Sequence, residues 1–202
     1  MKMTKILAAL TAIGLAVGTA QAATDIFGSY VQIGSTVYGG AEWGATDVTD
    51  LNGANLGSFN IGDTLTIADA EVQTFKNGGS DVTGAEYQWR VWSGTPGGSF
   101  NVVALGFTAD APFTSLAGNT ASGGGDQNWG TPASTPNILA SLDAGSYSLE
   151  VFFRAFTNEG DRFSNNGGNN FVATFTVVPE PGTLALLGVG MATLGIVRRR
   201  RA

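Results

Sequence analysis

The run Tyr147-Ser-Leu-Glu-Val-Phe-Phe-Arg-Ala-Phe156 constrains the fold most tightly. Its side chains fall into two sets with a period of two: Tyr147, Leu149, Val151, Phe153 and Ala155, and between them Ser148, Glu150, Phe152, Arg154 and Phe156. Successive side chains of an extended strand point to opposite faces, so the first set forms an apolar stripe facing a core. The second set mixes charge with aromatic rings, which predicts a face that is at least partly covered. Leu142-Asp-Ala-Gly-Ser146 reads as the turn that feeds this strand.

Asn170 to Val178 repeats the pattern, with Phe171, Ala173, Phe175 and Val177 on one face, and is expected to pair with the Tyr147 strand as a long hairpin. Earlier strands are expected over Phe27–Ile33, Thr64–Ile67, Ala70–Phe75, Ala85–Trp92 and Phe100–Phe107. Lys76-Asn-Gly-Gly-Ser-Asp81 is a turn-rich connection suited to an antiparallel pair. The chain holds 30 glycines and no long segment of helical period between its ends. The fold class that follows is all-β, a β-sandwich of immunoglobulin-like or jelly-roll form. Two segments, Ala117–Pro136 and Asn158–Asn170, read as non-regular.

Both ends of the chain are set apart from this domain. Met1 to Ala22 has a basic start (Lys2, Lys5), an apolar stretch from Ile6 to Val17 and the cleavage pattern Ala20-Gln21-Ala22, which predicts a secretory signal peptide with the mature chain beginning at Ala23. At the other end, Pro179-Glu180-Pro181 is held extended by its prolines. An uncharged apolar run follows from Leu184 to Val197, and then Arg198, Arg199, Arg200 and Arg201. The run has 14 residues, about 21 Å as a helix against a hydrocarbon core of roughly 30 Å. Extended by Gly182 and Thr183 and by snorkelling arginines, it makes a short membrane helix over 183–197, and the arginines keep that end cytoplasmic.

The order Pro-Glu-Pro, short apolar helix, terminal arginine cluster resembles the PEP-CTERM sorting signal of Gram-negative bacteria. The resemblance covers residues 179–202 and implies recognition by an exosortase, processing at or near Pro179-Glu180-Pro181, and association with exopolysaccharide and biofilm matrix. It implies a destination, and the domain at 23–178 is left to speak for itself.

That domain is acidic. Lys76, Arg90, Arg154 and Arg162 stand against fifteen acids, a formal charge of −11. With no basic patch to neutralise phosphates, nucleic-acid binding is excluded as an expectation. The chain has no cysteine and no histidine, which removes disulfides, thiol chemistry, the Ser-His-Asp triad and the common zinc sites. A carboxylate-pair glycosidase survives this exclusion, although no motif marks one.

Two binding chemistries are offered by the residues. Asn158, Glu159, Asp161, Asn165, Asn166 and Asn170 supply hard oxygens at close spacing, a candidate calcium site that lacks the EF-hand pattern. Trp129, in a polar glycine-flanked stretch with Asp126, Gln127 and Asn128, is either a loop anchor or an exposed platform for a sugar. Trp92, beside Arg90, is a second candidate platform, stacked by the guanidinium; Trp89 is expected in the core. The expectation is an exported, non-enzymatic surface or matrix protein, with a carbohydrate-binding module as the alternative and a polysaccharide-modifying enzyme behind both.

Overall fold

The computed structural model describes residues 23–41, 48–131, 134–180 and 182. The predicted signal peptide with Ala20 and Ala22, Pro132, Pro181, the helix expected over 183–197 and Arg198–Arg201 lie outside the described residues.

In chain order the strands are β1 (Ala23–Ile33), β2 (Thr36–Ala41), β3 (Thr49–Asp50), β4 (Asn55–Asn60), β5 (Ile67–Asn77), β6 (Val82–Trp92), β7 (Asn101–Asp110), β8 (Phe113–Thr114), β9 (Thr120–Ala121), β10 (Asp126–Thr131), β11 (Gly145–Thr157), β12 (Arg162–Ser164) and β13 (Phe171–Val178). A single 3-10 turn, Asn166–Gly168, precedes β13. The domain is all-β. One continuous sheet runs β3-β2-β1-β5-β10-β7-β6-β11-β13-β4, with β12 also pairing β11; β8 and β9 form a separate small hairpin.

The sheet curls because β7 changes partner halfway along. Asn101–Leu105 pair with β6, and Gly106–Asp110 pair with β10. The two halves of the sheet therefore fold toward each other about β7, with β1, β2, β5 and β10 in one layer and β6, β11 and β13 in the other. On the opposite side no ladder among the described residues closes the curl. There β3 and β4, the two ends of the sheet, are joined by Leu51–Ala54. Leu51 is fully buried in this seam, its N–H donating to the Gly39 carbonyl (3.1 Å), while the Gly53 N–H donates to Val172 (2.8 Å). Side chains add two stitches between β12 and β1: the Ser29 and Ser164 hydroxyls at 2.9 Å, and Arg162 Nε donating to the Thr24 carbonyl at 2.8 Å.

The core lies between the layers and follows the alternation. Leu149, Val151, Phe153 and Ala155 of β11 are fully buried, and so, to within a few per cent, are Phe171, Ala173, Phe175 and Val177 of β13. Opposite them stand Val31, Ile67, Ala70 and Val72. The long hairpin expected of the last two main strands is present: β11 and β13 pair antiparallel from Gly145↔Val177 to Val151↔Phe171. The turn before β11 is clamped by Tyr147 Oη donating to the Asp143 carbonyl (2.9 Å). Trp89 is partly buried against the core.

Three expectations are corrected. Thr64–Ile67 is not a strand of its own; β5 begins at Ile67. The Lys76–Asp81 connection does not close a hairpin, because β5 pairs with β1 and β10 while β6 pairs with β7 and β11, so this turn carries the chain from one layer to the other. Its glycines and asparagine serve that sharp crossing as well as they would serve a hairpin.

The third correction concerns Ala117–Pro136, which is not a long loop. It contains β10, seated between β5 and β7 in the middle of a layer. Gly125 makes the entry to β10 tight: it has φ +105°, and a Cβ there would lie 2.1 Å from the Lys76 carbonyl oxygen. Trp129 is accordingly a core residue and not a loop platform. It is 7% exposed, its indole N–H donates to Thr74 Oγ1 at 3.1 Å, and its ring meets Phe107 edge-on at 5.4 Å. Trp129→Ala is expected to lower unfolding stability by about 3–5 kcal/mol, read from denaturant midpoints; a loss under 1 kcal/mol would show that the site tolerates a void the packing does not suggest.

Candidate functional site

The outward face of the second layer is built by the residues that alternate with the core. On β11 these are Ser146, Ser148, Glu150, Phe152, Arg154 and Phe156. Their cross-strand partners on β6 are Trp92 (to Ser148), Arg90 (to Glu150), Gln88 (to Phe152) and Glu86 (to Arg154). On the other flank lie Thr174, Thr176 and Val172 of β13, and Phe163 of β12 opposite Arg154. Residues directly opposite in an antiparallel pair share a face, so this is one contiguous surface.

It has two ends of different chemistry. At one end a shallow open groove of about 330 Å³ is lined by Trp92, Gly94, Asn55 and a bed of hydroxyls from Ser146, Ser148, Thr174 and Thr176. The Trp92 ring is oriented by its own N–H, which donates to Glu150 Oε2 at 3.0 Å. At the other end Phe100, Phe152 and Phe163 form a chain of rings, with centroids 5.1 Å and then 6.5 Å apart. Phe163 is 49% exposed and Val102 57% exposed. From Ser148 to Phe156 along β11 the surface runs about 26 Å, at ~3.3 Å per residue.

The charges on this face are closed among themselves. Arg90 donates to both oxygens of Glu150 (2.8 and 3.1 Å), and its guanidinium lies 4.3 Å from the centroid of Phe100 rather than on Trp92, which corrects the expected stacking. Arg154 pairs with Asp161 (2.5 Å) and Glu86 (3.5 Å) and lies over Phe156 at 4.4 Å. Glu150 also accepts from Asn170 Nδ2 at 2.6 Å. Burial acts to raise the Glu150 pKa, but the hydrogen bonds from Arg90, Asn170 and Trp92 and the Arg90 charge outweigh it and hold the carboxyl below its ordinary 4.5.

Glu71 on β5 shows the opposite balance. It points away from the core but is covered by the loop between β8 and β9, whose Leu116 N–H donates to Glu71 Oε2 (2.9 Å). Gln73 Nε2 and Asn128 Nδ2 also donate to it, at 2.8 and 3.2 Å. No basic side chain pairs with this carboxylate in the described structure, and burial pushes its pKa up despite the three donors, with Asp69 adding to the rise.

The remaining residues singled out in the sequence are dispersed. Asp126 Oδ2 accepts from the Gly123 N–H in the turn before β10 (2.8 Å), and Asn128 is buried beside Glu71. Together with the inward Trp129 they do not form one surface. Four of the six residues expected to supply calcium ligands have their side-chain oxygens used locally. Asn158 Oδ1 accepts from the Asp81 N–H (2.8 Å), Glu159 pairs with Arg162 (3.5 Å), Asp161 pairs with Arg154, and Asn165 Oδ1 accepts from the Gly168 N–H (3.1 Å). Of the sugar candidates, Trp92 alone lines the groove. The hydroxyl bed and the phenylalanine chain were not singled out as a site; the signal for the latter was the even set of the Tyr147–Phe156 run, whose side chains cover one another instead of being covered by another layer.

Ala23, the expected mature N-terminus, is the first residue of β1 and is held by its N–H to Asn77 Oδ1 at 2.8 Å. Pro179 and Glu180 are exposed directly after β13. Among the described residues no helix is long and apolar enough to cross a membrane.

Residues 177–201 match the family model of the PEP-CTERM protein-sorting motif. No curated protein shows significant similarity to the chain.

The two carboxylates predict opposite pH signatures. A depressed pKa contributes stability above the ordinary value and loses it as pH falls, so Glu150→Gln is expected to cost about 3 kcal/mol at neutral pH and progressively less in acid below pH 4.5. A raised pKa does the reverse, so Glu71→Gln is expected to raise the melting temperature at pH 7, with the difference vanishing below pH 4.5. With its nitrogen at the Oε1 position, the new amide can donate to Gln73 Oε1 once the Gln73 amide turns over, while its oxygen keeps the Leu116 and Asn128 donors. Thermal melts of both variants across pH check the pair.

Proposed function

We propose, from a chain whose tail carries the PEP-CTERM protein-sorting motif, that this is a non-enzymatic surface or matrix protein that holds extracellular polysaccharide on the outer face of its second layer. The motif marks the chain for export to the cell envelope or beyond and for processing by an exosortase. The biofilm role and the ligand are the proposal.

The observation that carries it is the groove at Trp92. A ring fixed in orientation beside four hydroxyls and Asn55 offers what a sugar requires: an apolar wall for its C–H face and a bed of donors and acceptors for its hydroxyls. The Phe100–Phe152–Phe163 chain continues the same surface, so a polymer can be followed over several residues. Because Arg90 and Arg154 are closed by Glu150, Glu86 and Asp161, the face presents no free cation to an anionic chain, and the acidic domain repels one. A neutral, hydroxyl-rich polysaccharide suits it. The same pairing argues for binding over catalysis: the carboxylates of this face accept from arginines instead of standing as an opposed acid–base pair across a cleft.

Calorimetric titration of residues 23–180 with neutral and anionic polysaccharides from the producing cells tests this. The expected result is saturable heat with a neutral polymer, reduced at least tenfold in affinity by Trp92→Ala in a protein that still melts cooperatively, its melting temperature lowered by loss of the bond to Glu150. Flat titrations with every polymer would leave a structural matrix protein without a glycan site. In the producing cell, Pro179, Glu180 and Pro181 replaced together by alanine is expected to leave a larger species in the cell fraction; unchanged size and release would contradict sorting through the motif.

A further inference from the structure

Pro179 and Glu180 of the sorting motif follow the sheet with no linker, and the matched region, residues 177–201, takes in the last two residues of β13. The ladder between β11 and β13 ends at Gly145↔Val177. One residue further on, Val178 is held by β4, the parallel edge strand, through the pair Val178↔Asn60 and the Ile61 N–H donating to the Val178 carbonyl at 2.9 Å. The turn that follows β4 is tied shut: the Asn60 N–H and Nδ2 both donate to Asp63 Oδ2 (2.6 and 3.2 Å), and the Asp63 N–H returns to the Asn60 carbonyl (3.0 Å). Asn137 fixes this turn to the body by donating to the Asp63 carbonyl (3.0 Å) and accepting from the Leu65 N–H (3.0 Å). Glu180 of the motif lies against it, with Oε1 3.6 Å from where a Cβ on Gly62 would stand.

An enzyme that processes a chain segment generally binds it extended and pairs with a free backbone edge. Thr176 and Val177 have no such edge, because β11 occupies one side and β4 the other; Val178 has its carbonyl engaged by Ile61. We propose that β4 and the Asn60–Asp63 turn are a guard that sets the upstream limit of processing. The sorting enzyme engages the chain from Pro179 onward and cannot reach into β13. Asn60, Asp63 and Asn137 are then positioning residues for processing, acting through the backbone of Val178. The inference rests on the tail being a sorting signal, and on nothing about the glycan face.

The test is made on the full-length chain in the producing cell, with mass spectrometry of the mature C-terminus and pulse-chase of tail loss. The native protein is expected to end at or beyond Val178. Asp63→Ala, which frees the turn, is expected to give ragged C-termini inside β13. A variant with eight Gly/Ser residues inserted between Val178 and Pro179 leaves β4 undisturbed and supplies free extended chain upstream of the motif, so its tail should be lost several-fold faster at an unchanged melting temperature. A native C-terminus within β13, or an insertion variant processed at the native rate, would overturn the guard. A native chain that never loses its tail would instead refute sorting itself.

Discussion

The divided pairing of β7 is the constraint on which the rest depends. A strand that gives its first half to β6 and its second half to β10 obliges one sheet to become two facing layers. That folding creates the inside on which β11 and β13 bury their alternate residues, and it turns the remaining alternate residues outward as one broad face. Closure at the far side is of a different kind. Leu51, two short backbone bonds and two side-chain stitches hold the seam where a ladder would hold a barrel.

Non-covalent interactions must stabilise this domain, since the chain has no cysteine for a covalent brace. The inner face supplies packing through aromatic contacts as well as aliphatic ones. Tyr147 stacks on Phe175 at 5.5 Å, and Phe153 approaches Phe171 at 6.3 Å. Outward, ion pairs do the corresponding work of order: they fix Arg90 and Arg154 as flat cations over Phe100 and Phe156, and so hold those rings in place. The outward face is thus held in order by the charges that pair on it.

The parts of this architecture that were legible in the sequence are those where one face is wet and one is dry. In β11 and β13 the period of two is clean, and their pairing followed from it. β10 was missed because both of its faces are covered. Asn128 is buried beneath the loop between β8 and β9, Gln127 and Trp129 are buried on the inner side, and no alternation of polarity survives in Asp126-Gln-Asn-Trp-Gly-Thr131. Trp92 could be singled out as a candidate because its strand context exposes it. The hydroxyls beside it could not, since Ser146, Ser148, Thr174 and Thr176 become neighbours only through strand pairing, and serine and threonine are common on any strand's outer side. The oxygen-rich loop at Asn158–Asn170 misled for the converse reason: turns need the same residues that cations do.

The edge position of β4 bears on how molecules of this chain meet one another. β4 is the last strand of the sheet, and among the described residues its far edge has no strand beside it. Gly57, at φ +100°, breaks the line of that edge where the pairing with β13 shifts between Thr174 and Thr176, and the Asn55 side chain accepts from the Gly57 N–H at 2.9 Å. A neighbouring chain would find a bent rail with one rung already taken. Exposed straight edges invite strand-by-strand fibre growth. At high concentration, this bend lets molecules be close without being templates for one another.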